Sequence, residues 1–147
     1  MLLDCITQAT QTKDKFAGLP LGARAVQIAD GNTATYFLTT FGRASRETVC
    51  SCEVKMEPNL GQALHLMNGE NVHAKVKEGG VVKRLLDEKK TPPQVVAELY
   101  LRSLSRRPTD DETKAIETQL AGAKDPRPPL EDVFWALLNS REFLFNH

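Results

Sequence analysis

The sequence predicts a mainly α-helical protein, with five or six short helices in an irregular bundle and a less regular N-terminal third. Three observations carry this. Apolar residues recur at i, i+3, i+4 and i+7 in two separate stretches: Leu60, Ala63, Leu64 and Met67, then Leu130, Val133, Phe134 and Leu137. Two helix starts are written in capping residues, Thr91 with Gln94 and Thr109 with Glu112. Glycine and proline clusters punctuate the runs between them. A chain of 147 residues fits one domain with a buried core. Within it we divide an irregular segment, 1–56, from a helical core, 57–147.

The N-terminal third is the harder part to read. Leu2, Leu3, Ile6 and Ala9 suit a short helix. The apolar run Ala25 to Ala29, bounded by Asp30-Gly31-Asn32, reads as a short strand or extended segment. The stretch "TATYFLTTFGR" is ambiguous: its Thr, Tyr and Phe favour a strand, while Tyr36, Phe37, Thr40 and Phe41 also share one helix face.

From Pro58 the helical grammar is clearer. Asn59 with Gln62 opens a helix that Asn68-Gly69 closes. A short helix through Val72 and Val76 follows, closed by Gly79-Gly80, and the next one places Val82, Leu85 and Leu86 on one face. Thr91 caps a helix with Pro92 at its first position, ending at Arg106-Arg107 before Pro108. Thr109 caps another, whose first turn holds three acids as the helix dipole prefers, running to Gly122. "AKDPRPP" reads as a rigid polar linker. Leu130, Val133, Phe134, Leu137 and Leu138 then form the last apolar stripe, Phe143, Leu144 and Phe145 pack a further turn, and Trp135 belongs to the core.

Composition excludes several classes. Lysine plus arginine equals aspartate plus glutamate, 19 each, so there is no basic excess of the kind a dedicated nucleic-acid or membrane-surface binder shows. The basic pairs Lys83-Arg84, Lys89-Lys90 and Arg106-Arg107 sit beside Asp87, Glu88, Asp110, Asp111 and Glu112 and read as solvated helix faces. No apolar run approaches the roughly 20 residues of a membrane span. The N-terminus lacks the basic start, apolar stretch and cleavage site of a signal peptide, so the chain as written reads as cytoplasmic.

The chemistry candidates centre on "RETVCSCE". Cys50 and Cys52 stand one residue apart, tighter than the usual zinc clip, and only Cys5, His65, His73 and His147 are available to complete a ligand set. A strained disulfide between them, a pairing of Cys5 with one of them, a metal clip and plain reduced thiols all remain open, the last being the expected state. Arg43 and Arg46 flank a turn, where they either brace the Cys-x-Cys loop or receive a sulfate or carboxylate. His65 falls off the apolar face of its helix and reads as solvated or as a site residue. There is no nucleophile elbow, zinc-protease motif or P-loop, and the acids of "TDDE" read as caps. No cofactor is implied.

Four stretches in this order, "YFLTTFGRASRETVCSCE", "QALHLMNG", "ELYLRSLSRRPTDDE" and "LEDVFWALLNSREFLFNH", resemble the C-terminal domain of unknown function of large planctomycete multidomain proteins, where it follows cytochrome-c-like and other domains. The most specific pieces are the Phe-Gly-Arg…Cys-x-Cys stretch and the Asn-Ser-x-Glu-Phe-Leu-Phe-Asn-His ending. This chain looks like the last part of that domain. The resemblance implies export and a polysaccharide-related setting and ligand, and supplies no agreed catalytic residues. The chain departs from the pattern in having no signal peptide and no Cys-x-x-Cys-His haem motif.

Taken together, these readings lean away from an enzyme. The expectation is a structural or interaction module that packs against other domains or a partner protein, without nucleic acid and without membrane insertion. The alternative is an accessory hydrolytic or redox component with a site at Arg43, Arg46, Cys50, Cys52 and His65. A module cut from a larger domain is expected to expose an apolar patch around Tyr36, Phe37 and Phe41.

Overall fold

The computed structural model describes residues 2–29, 35–41, 62 and 70–145, and among these every regular element is helical. In chain order they are α1 (Leu2–Thr10), a 3-10 turn (Ala25–Gln27), α2 (Tyr36–Thr40), α3 (Glu70–Gly79), α4 (Val81–Asp87), α5 (Pro92–Leu104), α6 (Asp110–Leu120), α7 (Arg127–Leu138) and α8 (Arg141–Phe145). Six of the described helices have seven residues or more and two have five. None is long and apolar enough to cross a membrane.

The last apolar stripe becomes the axis of the fold. Leu130, Phe134 and Leu138 are fully buried, with Val133 and Leu137 close behind. Helix α7 packs against α3, α4, α5, α6 and α8. Burying such a side chain contributes about 1.5–3 kcal/mol. Val95, Val96, Leu99 and Tyr100 of α5, Val81, Val82 and Leu85 of α4, and Val72 and Val76 of α3 close the core around it. Helix α1 adds Leu3, Ile6 and Ala9 from the other side of α3.

The helix ends follow their capping chemistry. Thr91 donates its backbone N–H to Gln94 Oε1 at 3.0 Å at the start of α5. At α6 the exchange is reciprocal: Glu112 N–H donates to Thr109 Oγ1 at 3.3 Å and Thr109 N–H to Glu112 Oε2 at 2.7 Å. Gly80, at φ +59°, takes the left-handed conformation that separates α3 from α4. Helix α4 ends with Lys89 at φ 60°, its N–H donating to Leu86 O at 2.9 Å and that of Lys90 to Leu85 O at 3.2 Å. This double bond is the Schellman arrangement, in which glycine is the usual left-handed residue. Lys89 is exposed. Lys89→Gly is therefore expected to stabilise the protein by about 0.5–1 kcal/mol, relief of the left-handed strain outweighing the added freedom of the unfolded chain. A urea midpoint that stays put or falls would refute this.

Several expectations meet a different outcome, and one open choice is decided. The run Ala25 to Ala29 is not a strand but contains a 3-10 turn. The buried Asp4 carboxylate of α1 accepts the N–H groups of Ala25 at 2.5 Å and Val26 at 3.3 Å, a demand that local alternation does not reveal. The ambiguous stretch is helical, with the Thr35 hydroxyl accepting Leu38 N–H at 3.3 Å. Its Phe37 is buried and stacks on the partly buried Phe41 at 4.5 Å, so these two rings do not form the expected exposed patch. The linker is shorter than expected, because Pro128 and Pro129 lie in the first turn of α7, where a missing N–H leaves no bond unmade. Asp125 Oδ1 accepts Arg127 N–H at 2.9 Å there. Finally, Phe143 is buried but Phe145 is 72% exposed, since residues two apart on a helix point to opposite sides. The helix expected over 59–69 lies outside the described residues, except Gln62, whose Nε2 donates to Thr40 O at 3.1 Å.

Candidate functional site

The sequence-derived site residues Arg43, Arg46, Cys50, Cys52 and His65 all lie outside the described residues, as does His147. Cys5, offered as their partner, is a free, half-buried thiol on α1. His73 is half-buried on α3. Among the described residues no three His, Cys, Asp or Glu side chains stand together in a metal-binding group.

The densest polar constellation among the described residues lies elsewhere, at Arg106, which the sequence placed on a solvated face. Ser105, at φ 55°, ends α5 in the left-handed region and turns the chain so that Arg106 folds back over the ring of Tyr100, 5.3 Å from its centroid. Two carboxylates then close on the guanidinium. Glu142 of α8 accepts Nε at 2.8 Å and Nη2 at 2.9 Å. Glu112 of α6 accepts Nη1 at 2.9 Å and Nη2 at 2.8 Å. Each pair is bidentate, the geometry that a planar guanidinium favours. One side chain thus ties the end of α5 to the start of α6 and to α8.

The clasp leaves an electrostatic signature. The bond from Arg106 holds the Glu112 carboxyl down at about 2, with help from the Thr109 cap, and lowers that of Glu142. Burial first, and then the Glu112 charge, raise the Tyr100 hydroxyl. All three charged side chains are about one-third exposed, at 34%, 33% and 37% for Arg106, Glu112 and Glu142, so water screens them substantially. Glu112 is depressed from an ordinary 4.5, so its contribution is fully present above that value and is lost as pH falls through about 2. Arg106→Met is expected to lower stability at pH 7 by on the order of 1 kcal/mol for the Arg106–Glu112 pair. It is also expected to flatten the decline between pH 4.5 and 2. Equal pH slopes in variant and parent melts would show that the clasp does not supply this dependence.

The other polar groups follow the same pattern. Lys75 of α3 binds Asp14, which also accepts the Thr7 hydroxyl at 2.8 Å. Arg102 pairs with Glu98, and Arg127 donates to the buried Glu131 at 2.7 Å, both within one helix turn. A cleft of about 590 Å3 lies between α1, the end of α5 and α8. Cys5, Gln8, Ser103, Arg102 and Glu142 are in its wall, the last two already engaged by Glu98 and Arg106. Chemically this arrangement braces helices. Nothing in the sequence foretold the clasp beyond the Thr109–Glu112 cap, because Glu142 lies 36 residues from Arg106.

A model of the family described as "Protein of unknown function (DUF1553)", PSD1, matches residues 6–120. That range includes Cys50 and Cys52 and stops short of the terminal Asn-Ser-Arg-Glu-Phe-Leu-Phe-Asn-His stretch. No curated protein and no solved structure matches the chain.

Proposed function

Since the chain belongs to the family of the protein of unknown function DUF1553, we propose that it is a helical structural and interaction module, packing against other domains or a partner protein rather than carrying out a reaction. The Arg106 clasp is the observation that supports this reading. A site built for turnover holds a charged group free to meet a substrate and shifts its pKa toward the working pH. Here the strongest shifts arise from carboxylates and a guanidinium that saturate one another while joining three helices. The four-segment resemblance supplies the proposed setting: the last part of a planctomycete-type domain in a multidomain protein, close to polysaccharide breakdown and to a polysaccharide-related ligand. The alternative is a hydrolytic or redox component with a site at Arg43, Arg46, Cys50, Cys52 and His65, which lie outside the described residues.

Native mass spectrometry of the purified chain, paired with thiol alkylation, tests the choice. The expected result is a metal-free mass with Cys5, Cys50 and Cys52 all alkylated. A bound metal with Cys50 and Cys52 protected would overturn the reading. So would hydrolysis of a nitrophenyl sulfate or glycoside that Arg46→Ala abolishes.

A further inference from the structure

After α1, residues 11–29 form a strap whose only regular element is the 3-10 turn. Irregular loops are commonly mobile, but this one is pinned along its length. Phe16, Ala25 and Ile28 are buried in the core. Asp4 holds the N–H groups of Ala25 and Val26 from below. Gly22 N–H donates to Asp14 O at 2.9 Å, while the Asp14 carboxylate is fixed by Lys75 and Thr7. Leu19 and Ala23 close turns on Phe16 and Pro20.

This fixed strap nevertheless turns large apolar side chains outward. Leu21 is 64% exposed and Val26 55%, two of the four large hydrophobics exposed among the described residues. A single exposed leucine needs no explanation; two within six residues of a pinned backbone are a different case. Cations flank them. Lys13 and Arg24 are exposed, have no ion-pair partner among the described residues, and line a groove of about 340 Å3. Its wall also includes Gln8, Gly22, Ala23 and Asp4, a buried acid turned to the N–H groups of Ala25 and Val26. The strap's one acid, Asp14, is already neutralised by Lys75. The face is therefore basic and apolar within a chain that is neutral overall.

Resting on the interaction reading above, we propose that this face docks an acidic segment of a partner protein, one that carries apolar side chains between its carboxylates. Charge complementarity selects the acid: Lys13 and Arg24 are exposed and without ion pairs among the described residues, and they outnumber the groove's one carboxylate, the buried Asp4. Leu21 and Val26 offer apolar area beside them. Because the strap is already fixed by its bonds to α1 and α3, docking costs little ordering on this side of the interface.

The test is a peptide-display selection with the whole chain as bait, followed by titration of one enriched peptide against the parent and two double variants. These are Lys13→Glu with Arg24→Glu, and Leu21→Ser with Val26→Ser. All four positions are exposed, so both variants should melt as the parent does, which is checked first. The expected peptides alternate acids with Leu, Ile or Phe, bind at least tenfold more weakly to each variant, and weaken as salt rises. A basic consensus, or no enrichment at all, would overturn the proposal. So would sedimentation with phosphatidylserine vesicles through these same residues without peptide binding, which would mark a lipid surface instead. Peptides that bind both variants as they bind the parent would remove this surface yet leave the interaction reading intact. A bound metal or turnover in the preceding experiment would remove that reading while leaving peptide affinity to be measured on its own.

Discussion

Replacing Phe134 with alanine is expected to cost about 3–5 kcal/mol of stability, the range for deleting a large aromatic ring from a packed core. The ring is fully buried at the centre of α7, the helix that contacts α3, α4, α5, α6 and α8. Neighbours held by five helices have little room to collapse, so most of the cavity should persist. A domain of this size is typically stable by only about 5–15 kcal/mol, so the loss would be a large share of the whole. Equilibrium urea unfolding of parent, Phe134→Leu and Phe134→Ala chains would measure it. The leucine variant should lose much less, because it keeps more of the volume. A loss below about 1 kcal/mol for alanine would mean that α7 is not the packed axis.

Gly79→Ala should destabilise by about 3 kcal/mol, near the upper end for overpacking a close contact. The sign is what makes this informative. In an ordinary helix, alanine in place of glycine stabilises by about 1 kcal/mol. Here a Cβ at position 79 would fall 1.8 Å from the carbonyl oxygen of Thr10 and 2.8 Å from its carbon. Both are backbone atoms, and Thr10 is itself fully buried with its hydroxyl donating to Ile6 O at 2.8 Å. The end of α1 cannot move away without breaking those contacts. Thermal melts in which Gly79→Ala matches or exceeds the parent would show that α1 and α3 do not meet as described.

The parts of the fold that were legible share one property: their causes lie within one or two helical turns. The Thr109–Glu112 exchange spans three residues, and the stripe from Leu130 to Leu138 needs only the helical period. Where the cause was distant, local reading failed. Asp4 caps a turn 21 residues away, and no pattern around Ala25 announces it. The aromatic stretch 35–41 carried both periods at once and was decided by the Thr35 cap and by room in the core for Phe37.

The same division runs through function. The candidate site drawn from Arg43, Arg46, Cys50, Cys52 and His65 rests on residue type and spacing alone. Arg106, the residue with the richest set of polar partners described, carries no such mark in the sequence.

By itself, the sequence determined the helical class, the order of the capped helices, the stripe that α7 buries, and membership of a family without an assigned activity. Periodicity and capping are local, and they act before any long-range contact forms. Only the tertiary structure decided that Arg106 joins Glu112 and Glu142, that glycine alone fits beside Thr10, and that a pinned strap turns Leu21 and Val26 outward. Each of these depends on groups that come together only after the helices have packed.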